Sequence, residues 1–194
     1  MKNNVVIGVN EKFKKSAYVM LYSLLRNNKK LDFEIHIISD YLELSYFKEL
    51  ENDYNCKLHL YKIDTNDISK LNFRHIDTST FYRLKMDEYL PRDKDKLLYL
   101  DSDIIVDGSI DDLLDTEFND NELVAAVECK ISTKHLESIN FRGNYYFNAG
   151  VIYFDYQKCL RMNIFKKALE ELKRSEDKYI FMDQDVLKKV IKNN

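Results

Sequence analysis

Apolar and polar positions alternate along this chain with two periods, and the switches between them mark out its elements. Val5-Val6-Ile7-Gly8-Val9 is a β-branched run of strand length. From about Lys14 to Asn27, apolar groups at Ala17, Met20, Leu21, Leu24 and Leu25 recur every third or fourth position, which predicts one face of a helix. Phe33 to Ile38 reads as a second strand, Leu44, Phe47, Leu50 and Tyr54 as a second helix, and Lys57 to Ile63 as an alternating strand. Thr78 is a candidate cap for a helix running to about Tyr89, which Pro91 prevents from continuing. A Leu97–Leu100 strand, a helical turn at Asp111–Leu114 and two apolar runs at Leu123–Val127 and Gly150–Phe154 follow. Helices over Ile164–Leu172 and Asp183–Ile191 complete the pattern. Alternating strand and helix in the first half predicts an α/β sheet with helices on both faces.

The run Lys96-Leu97-Leu98-Tyr99-Leu100 delivers Asp101 and Asp103, and the chain then turns apolar again. Residues i and i+2 of an extended backbone point the same way, so the two carboxylates can converge where a buried strand ends. Such a pair repels itself unless a cation lies between, and hard oxygen ligands suit magnesium, calcium or manganese. Spacing alone carries little. Asp-x-Asp occurs three times, at Asp93/Asp95, Asp101/Asp103 and Asp183/Asp185, about what a chain this rich in aspartate gives by chance. Only the second follows a strand-like run. In open α/β sheets ligands gather beyond the carboxyl ends of strands, and Gly8-Val9-Asn10 ends a strand in the same manner.

Composition narrows the field. The chain's 194 residues predict one domain spanning 1–194, and 45% hydrophobic with 32% charged residues describes a globular protein. A net charge of −3 gives no reason to expect nucleic acid. No apolar run is long enough to span a bilayer, and the apolar start is too short for a secretion signal. Cys56, Cys129 and Cys159 are odd in number and widely spaced, which suggests neither a disulfide framework nor a zinc site and predicts a reducing, cytoplasmic location. There is no Gly-x-Gly-x-x-Gly and no Walker-type Gly-Lys-Ser/Thr.

The ordered series Val5-Val6-Ile7-Gly8-Val9-Asn10, Asn72-Phe73-Arg74-His75-Ile76, Phe81-Tyr82-Arg83-Leu84-Lys85, Leu98-Tyr99-Leu100-Asp101-Ser102-Asp103, Tyr146-Phe147-Asn148-Ala149-Gly150-Val151 and Asp183-Gln184-Asp185-Val186-Leu187 resembles the retaining glycosyltransferases of family 8 over nearly the whole chain. That group includes bacterial lipopolysaccharide galactosyl- and glucosyltransferases and glycogenin. The resemblance implies a GT-A type fold, a Rossmann-like mixed sheet. It also implies metal-dependent transfer of hexose from UDP-galactose or UDP-glucose to a glycan or glycolipid acceptor, with retention of anomeric configuration. Manganese is the implied ion, with magnesium as a substitute. By position, Asp101 and Asp103 match the metal ligands, and Gly8, Val9, Asn10, Asp101 and Ser102 the nucleotide-binding residues. Arg83, Asp101, Asn148, Ala149, Asp183 and Gln184 match the surroundings of the donor sugar, Gln184 and Asp183 being the catalytic candidates. His75 and Glu128 fall on the acceptor side. Many relatives have Asp where this chain has Asn10. Members also continue to a late motif with a His and a Lys, while this sequence ends at Asn194, and His36, His59, His75 and His135 lie elsewhere in the pattern. Weak metal and nucleotide binding and slow transfer are therefore expected of the chain. In full-length relatives a basic, aromatic tail implies peripheral attachment at the inner face of the membrane.

Without the resemblance, Arg83 is a helix-surface ion-pair partner, His75 a loop histidine, Asn148 a turn residue and Glu128 structural. Asp183 and Asp185 are then a cap and a first-turn charge. Two alternatives stand beside sugar transfer: a non-catalytic or weakly active nucleotide-sugar-binding fragment, and a haloacid dehalogenase-like phosphatase, which also sets Asp-x-Asp after an apolar strand.

Overall fold

The computed structural model of the protein describes residues 2–41, 43–66, 77–120, 122–141, 146–174 and 179–192. Strands β1 (Asn3–Gly8), β2 (Phe33–Ser39), β3 (Cys56–Lys62), β4 (Lys96–Leu100), β5 (Val124–Glu128) and β6 (Phe147–Asp155) form one sheet in the order β3-β2-β1-β4-β6-β5. β1 runs parallel to β2 and β4, and β2 parallel to β3, whereas β6 is antiparallel to both β4 and β5. The chain leaves β1 toward β2 on one side and later returns to β4 on the other. The carboxyl ends of β1 and β4 therefore frame a topological switch point, where such sheets open a crevice.

Strand alternation makes two cores. Val5, Ile7, Leu98 and Leu100 face one layer together with Ala17, Met20, Leu21 and Leu24 of α1 (Lys14–Asn27) and Leu50 of α2 (Lys48–Asp53). Each of the larger α1 side chains contributes about 1.5–3 kcal/mol by leaving water. Val6, Leu97 and Tyr99 face the opposite layer with Phe165, Ala168 and Leu172 of α7 (Ile164–Arg174) and Val186 and Leu187 of α8 (Met182–Lys192). Shorter helices are α3 (Met86–Tyr89), α4 (Asp111–Leu114), α5 (Thr133–Ser138) and α6 (Tyr156–Arg161).

α1 has the bounds that its periodicity predicts. The helix expected from Thr78 differs in kind: Thr78–Lys85 is a 3-10 helix continued by α3, and its cap is Asp77, whose carboxylate accepts the Ser79 N–H at 2.9 Å. An ionised carboxylate one residue earlier outcompetes the threonine hydroxyl for the free amide. The second helix is shorter than its apolar spacing predicts, because Leu44–Phe47 winds as a 3-10 segment. β6 starts at Phe147, ahead of the apolar run. α5 and α6, six residues each, were not foreseen.

Candidate active site

Beyond the ends of β1 and β4 lies an open cleft of about 350 Å³, which Gly8, Arg83, Asp101, Asp103, Ala149 and Asp183 help to line. Gly8 is last in β1 and packs under the 3-10 helix: a Cβ there would stand 3.1 Å from Tyr82 Cβ and 3.4 Å from the Ser79 carbonyl. In a 3-10 helix residues three apart eclipse, so Thr80 and Arg83 share the face turned to the cleft.

Arg83 organises the floor. It is only 6% exposed. Its Nε reaches Asp183 Oδ2 at 2.9 Å, Nη2 reaches Asp101 Oδ1 at 2.6 Å, and Nη1 donates to the Ala149 carbonyl. The guanidinium carbon stands 4.3 Å from the centre of the Tyr99 ring, and the Tyr99 hydroxyl donates to Asp101 Oδ1 at 3.0 Å. Burial alone would lower the Arg83 pKa, but Asp183 and Asp101 overcome it and hold the group above its ordinary value. Asp183 is pushed up to about 6 by burial, against the pull of Arg83. Burial likewise raises Tyr99 well above the ordinary phenol value.

Residues 101–103 leave β4 in a turn rather than continuing extended, because Asp101 is drawn aside by Arg83 and Tyr99. Both carboxylates nonetheless line the cleft, Asp101 half-buried and Asp103 exposed, with Ser102 between them. The antiparallel course of β6 brings its first residues beside the end of β4: the Asp101 N–H donates to the Gly150 carbonyl at 2.8 Å. A Cβ on Gly150 would stand 2.8 Å from Asp101 Oδ2 and 2.9 Å from Asn148 Oδ1, so only glycine leaves that carboxylate oxygen its room. Asn148 Oδ1 accepts the Gly150 N–H at 2.8 Å, and Gln184 Oε1 accepts the Ala149 N–H at 2.9 Å.

The other predicted residues are placed differently. Val9 is fully buried and does not reach the cleft. Asn10 caps the short helix after β1, its Oδ1 accepting the Phe13 N–H at 3.1 Å, while Nδ2 donates to Asp77 at 2.7 Å. Glu128 ends β5, exposed and away from the cleft lining. His75 and the Asn72–Ile76 motif lie outside the described residues. Sequence reasoning missed Asp77 and Ser79, which line the cleft; burial pushes Asp77 up, but hydrogen bonds from Ser79 and Asn10 outweigh it and hold the carboxyl below its usual range. It missed Tyr99 as well, although Tyr99 stands two positions before Asp101 in one strand. Phe181 and Met182 gave no sequence signal; Met182 has φ 33°, in the left-handed region.

Among the described lining residues, four aspartates (Asp77, Asp101, Asp103 and Asp183) face the single cation Arg83. No group of three or more His, Cys, Asp or Glu there could enclose a metal by itself. The donor set does fit a hard divalent ion whose remaining ligands are phosphate and water, since Asp103 is exposed and Asp101 Oδ2 has its room kept by Gly150.

Strand order, switch-point cleft and strand-end carboxylates together define a glycosyltransferase fold of the GT-A type. The chain belongs to glycosyl transferase family 8, whose model matches residues 4–194. It is 32% identical to a lipopolysaccharide 1,2-glucosyltransferase of Escherichia coli, over 95% of this chain and 57% of that protein. It is equally 32% identical to a lipopolysaccharide 1,3-galactosyltransferase of Salmonella typhimurium, over 96% of this chain and 58% of that protein. Among solved structures, the galactosyltransferase LgtC in complex with donor and acceptor sugar analogues superposes with a TM-score of 0.82 at 26% identity, covering 95% of this chain and 69% of that one. The chain thus spans little more than half the length of these curated relatives. The family match displaces the phosphatase alternative, and Asp101 follows the fourth strand in chain order rather than the first.

Proposed function

We propose that the chain is a retaining, metal-dependent hexosyltransferase that takes UDP-galactose or UDP-glucose and delivers the sugar to a glycan or glycolipid. The observation that carries this reading is the excess of aspartate over arginine in a cleft at the sheet's switch point. A dianionic diphosphate enters such a site only with a cation. Asp101 and Asp103 would hold a manganese or magnesium ion, which supplies Lewis-acid neutralisation of the leaving diphosphate.

The residues of the chain have separate tasks. Gly8 and Ser102 would border the nucleotide, and Asn148 and Ala149 the donor sugar. Arg83 orients Asp101 and Asp183 rather than offering a free fork to phosphate, since three of its nitrogens already donate to protein oxygens. Gln184 has its amide oxygen turned to the Ala149 N–H, and an amide is a poor nucleophile. The carboxylate of Asp183 is engaged by Arg83. This argues against the double displacement of retaining hydrolases, which needs a free carboxylate. Transfer would proceed on one face of the sugar: the acceptor oxygen bonds to the anomeric carbon as the sugar–phosphate bond breaks, and the acceptor proton passes to the departing phosphate. Asp183 and Gln184 then shield the positive charge on the anomeric carbon.

The test is incubation with each UDP-hexose and manganese, following UDP release and the anomeric configuration of the product. Metal-dependent release with retention supports the proposal, and a covalent sugar adduct trapped on Asp183 would overturn the single-face step. A second reading, a non-catalytic or weakly active nucleotide-sugar-binding fragment, is favoured by the lack, among the described residues, of any group of three side chains able to hold a metal. Manganese-dependent stabilisation by UDP without any turnover would select it. Among the described residues no helix is long and apolar enough to cross a membrane. We place the protein in the cytoplasm, with peripheral attachment at the membrane's inner face.

A further inference from the structure

The first turn of α8 carries Asp183 and Gln184 to the cleft, and a buried carboxylate behind it anchors that turn. Asp185 is 0% exposed. Its Oδ2 accepts the Phe181 N–H at 2.9 Å; Oδ1 accepts His135 Nε2 at 2.8 Å and the Tyr146 hydroxyl. These donors come from three separate segments: the turn before α8, helix α5 and the approach to β6. An imidazole nitrogen facing a carboxylate oxygen must be the protonated one, so His135 meets Asp185 through Nε2–H. The backbone of His135 is fixed by the helix cap, Ser132 Oγ accepting its main-chain N–H at 3.2 Å, while ring Nδ1 is buried without a hydrogen-bond partner among the described residues. The same ring lies 4.9 Å from Phe181, a wall of the cleft, and edge-on to Tyr146 at 6.0 Å.

Between Phe181 and Asp183 stands Met182 with φ 33°. A side-chain-bearing residue keeps that conformation only where its surroundings enforce it. Asp185 ties the turn down, since one of its oxygens binds the amide just before Met182 while the other is fixed to α5 and to Tyr146, just ahead of β6. The consequence reaches the cleft at 2.9 Å twice over: Asp183 Oδ2 meets Arg83 Nε, and Gln184 Oε1 meets the Ala149 N–H.

We infer that Asp185, His135 and Tyr146 form a clasp that holds the Phe181–Met182 turn, and that His135 and Tyr146 are positioning residues for Asp183 and Gln184. The effect on transfer rests on the proposed function; the clasp itself rests on geometry, and the test separates the two. His135→Ala, His135→Gln and Tyr146→Phe are made in the full chain. Amide hydrogen exchange is then read at Phe181 and Ala149 against the amides of β1 and β2. His135→Ala and Tyr146→Phe should speed exchange at Phe181 and Ala149 by about tenfold or more, the equivalent of one lost charge-assisted bond, with β1 and β2 unchanged. His135→Gln, which keeps an N–H donor at similar reach, should recover part of the protection. Unchanged exchange at Phe181 and Ala149, or equal acceleration across the sheet, overturns the clasp. In UDP release, His135→Ala should lower kcat by about tenfold or more while the donor KM stays within about threefold. Loosened amides with an unaltered kcat overturn the positioning role. A wild-type chain without turnover sinks the transferase reading instead, and the exchange result still decides the clasp.

Discussion

The cleft and the β2–β3 flank of the same sheet bury polar side chains by opposite means. In the cleft, Arg83, Asp101 and Asp183 keep their charges and neutralise one another at 2.6 and 2.9 Å. On the flank His36 is 1% exposed and stacks on His59 at 5.3 Å. Its Nε2 faces Asn4 Oδ1 at 3.3 Å, which makes Nε2 the protonated nitrogen, and Nδ1 accepts from the Tyr61 hydroxyl at 3.0 Å. Burial, then the neighbouring His59, lowers His36 to about 4, so this pair stays neutral in ordinary conditions. A neutral network needs only hydrogen bonds, whereas a charged one needs each partner to remain. Under the proposed function the cleft takes the costlier course because its charges have to meet a charged substrate.

The contrast breaks first at Arg83. Arg83→Met leaves two carboxylates without their counter-charge and should cost about 3–5 kcal/mol, read as the shift of a urea midpoint; unaltered stability would refute mutual neutralisation. Next comes acid titration. The folded His36 pKa lies below its ordinary 6.5, so the unfolded chain binds the extra proton. Stability from this group therefore declines as pH falls from 6.5 to about 4, by about 3 kcal/mol. Asp183 goes the other way: raised from 3.8 to about 6, it binds the extra proton in the folded state, so stability declines as pH rises through that window by about 3 kcal/mol. His36→Leu should tilt the stability–pH line downward with rising pH, and Asp183→Asn should tilt it upward. Parallel lines for both variants would contradict the shifts.

Gly150→Ala should follow, at about 1–3 kcal/mol, because its Cβ would press on Asp101 Oδ2. Manganese affinity measured by calorimetry should fall together with stability. Asn10→Ala is the mildest, about 1 kcal/mol for the lost cap. A change in donor KM beyond that loss would mean that Asn10 also touches the nucleotide.

Much of this molecule could be read from its backbone periods. α1 and the cores on either face of the sheet follow from apolar spacing, and the strand-end position of Asp101 follows from the run before it. In the cleft, Gly8, Asp101 and Asp103 were legible where a residue type and a strand end coincide, whereas Arg83, Asn148, Ala149, Asp183 and Gln184 came from the family resemblance alone. The burial of Arg83 was not legible, because it depends on β6 arriving antiparallel beside β4, a long-range pairing with no local signature. α5 and α6 are too short to show a period; their Ser132 and Asp155 caps were the available signals. The role of Asn10 was hidden for a related reason, since its partner Asp77 is 67 positions away.

The place of β4 between β1 and β6 also bears on how the molecule is made. A nascent chain leaving the ribosome can pair β1 to β4 well before β6 and α8 have emerged, and at that stage one edge of β4 has open amides and carbonyls. Arg83 and Asp101 would meanwhile lack Asp183 and the Ala149 carbonyl. Assembly of the cleft thus comes late, and slow elongation after β4 has emerged and before β6 follows it would extend the interval in which the growing sheet can join to a neighbouring chain.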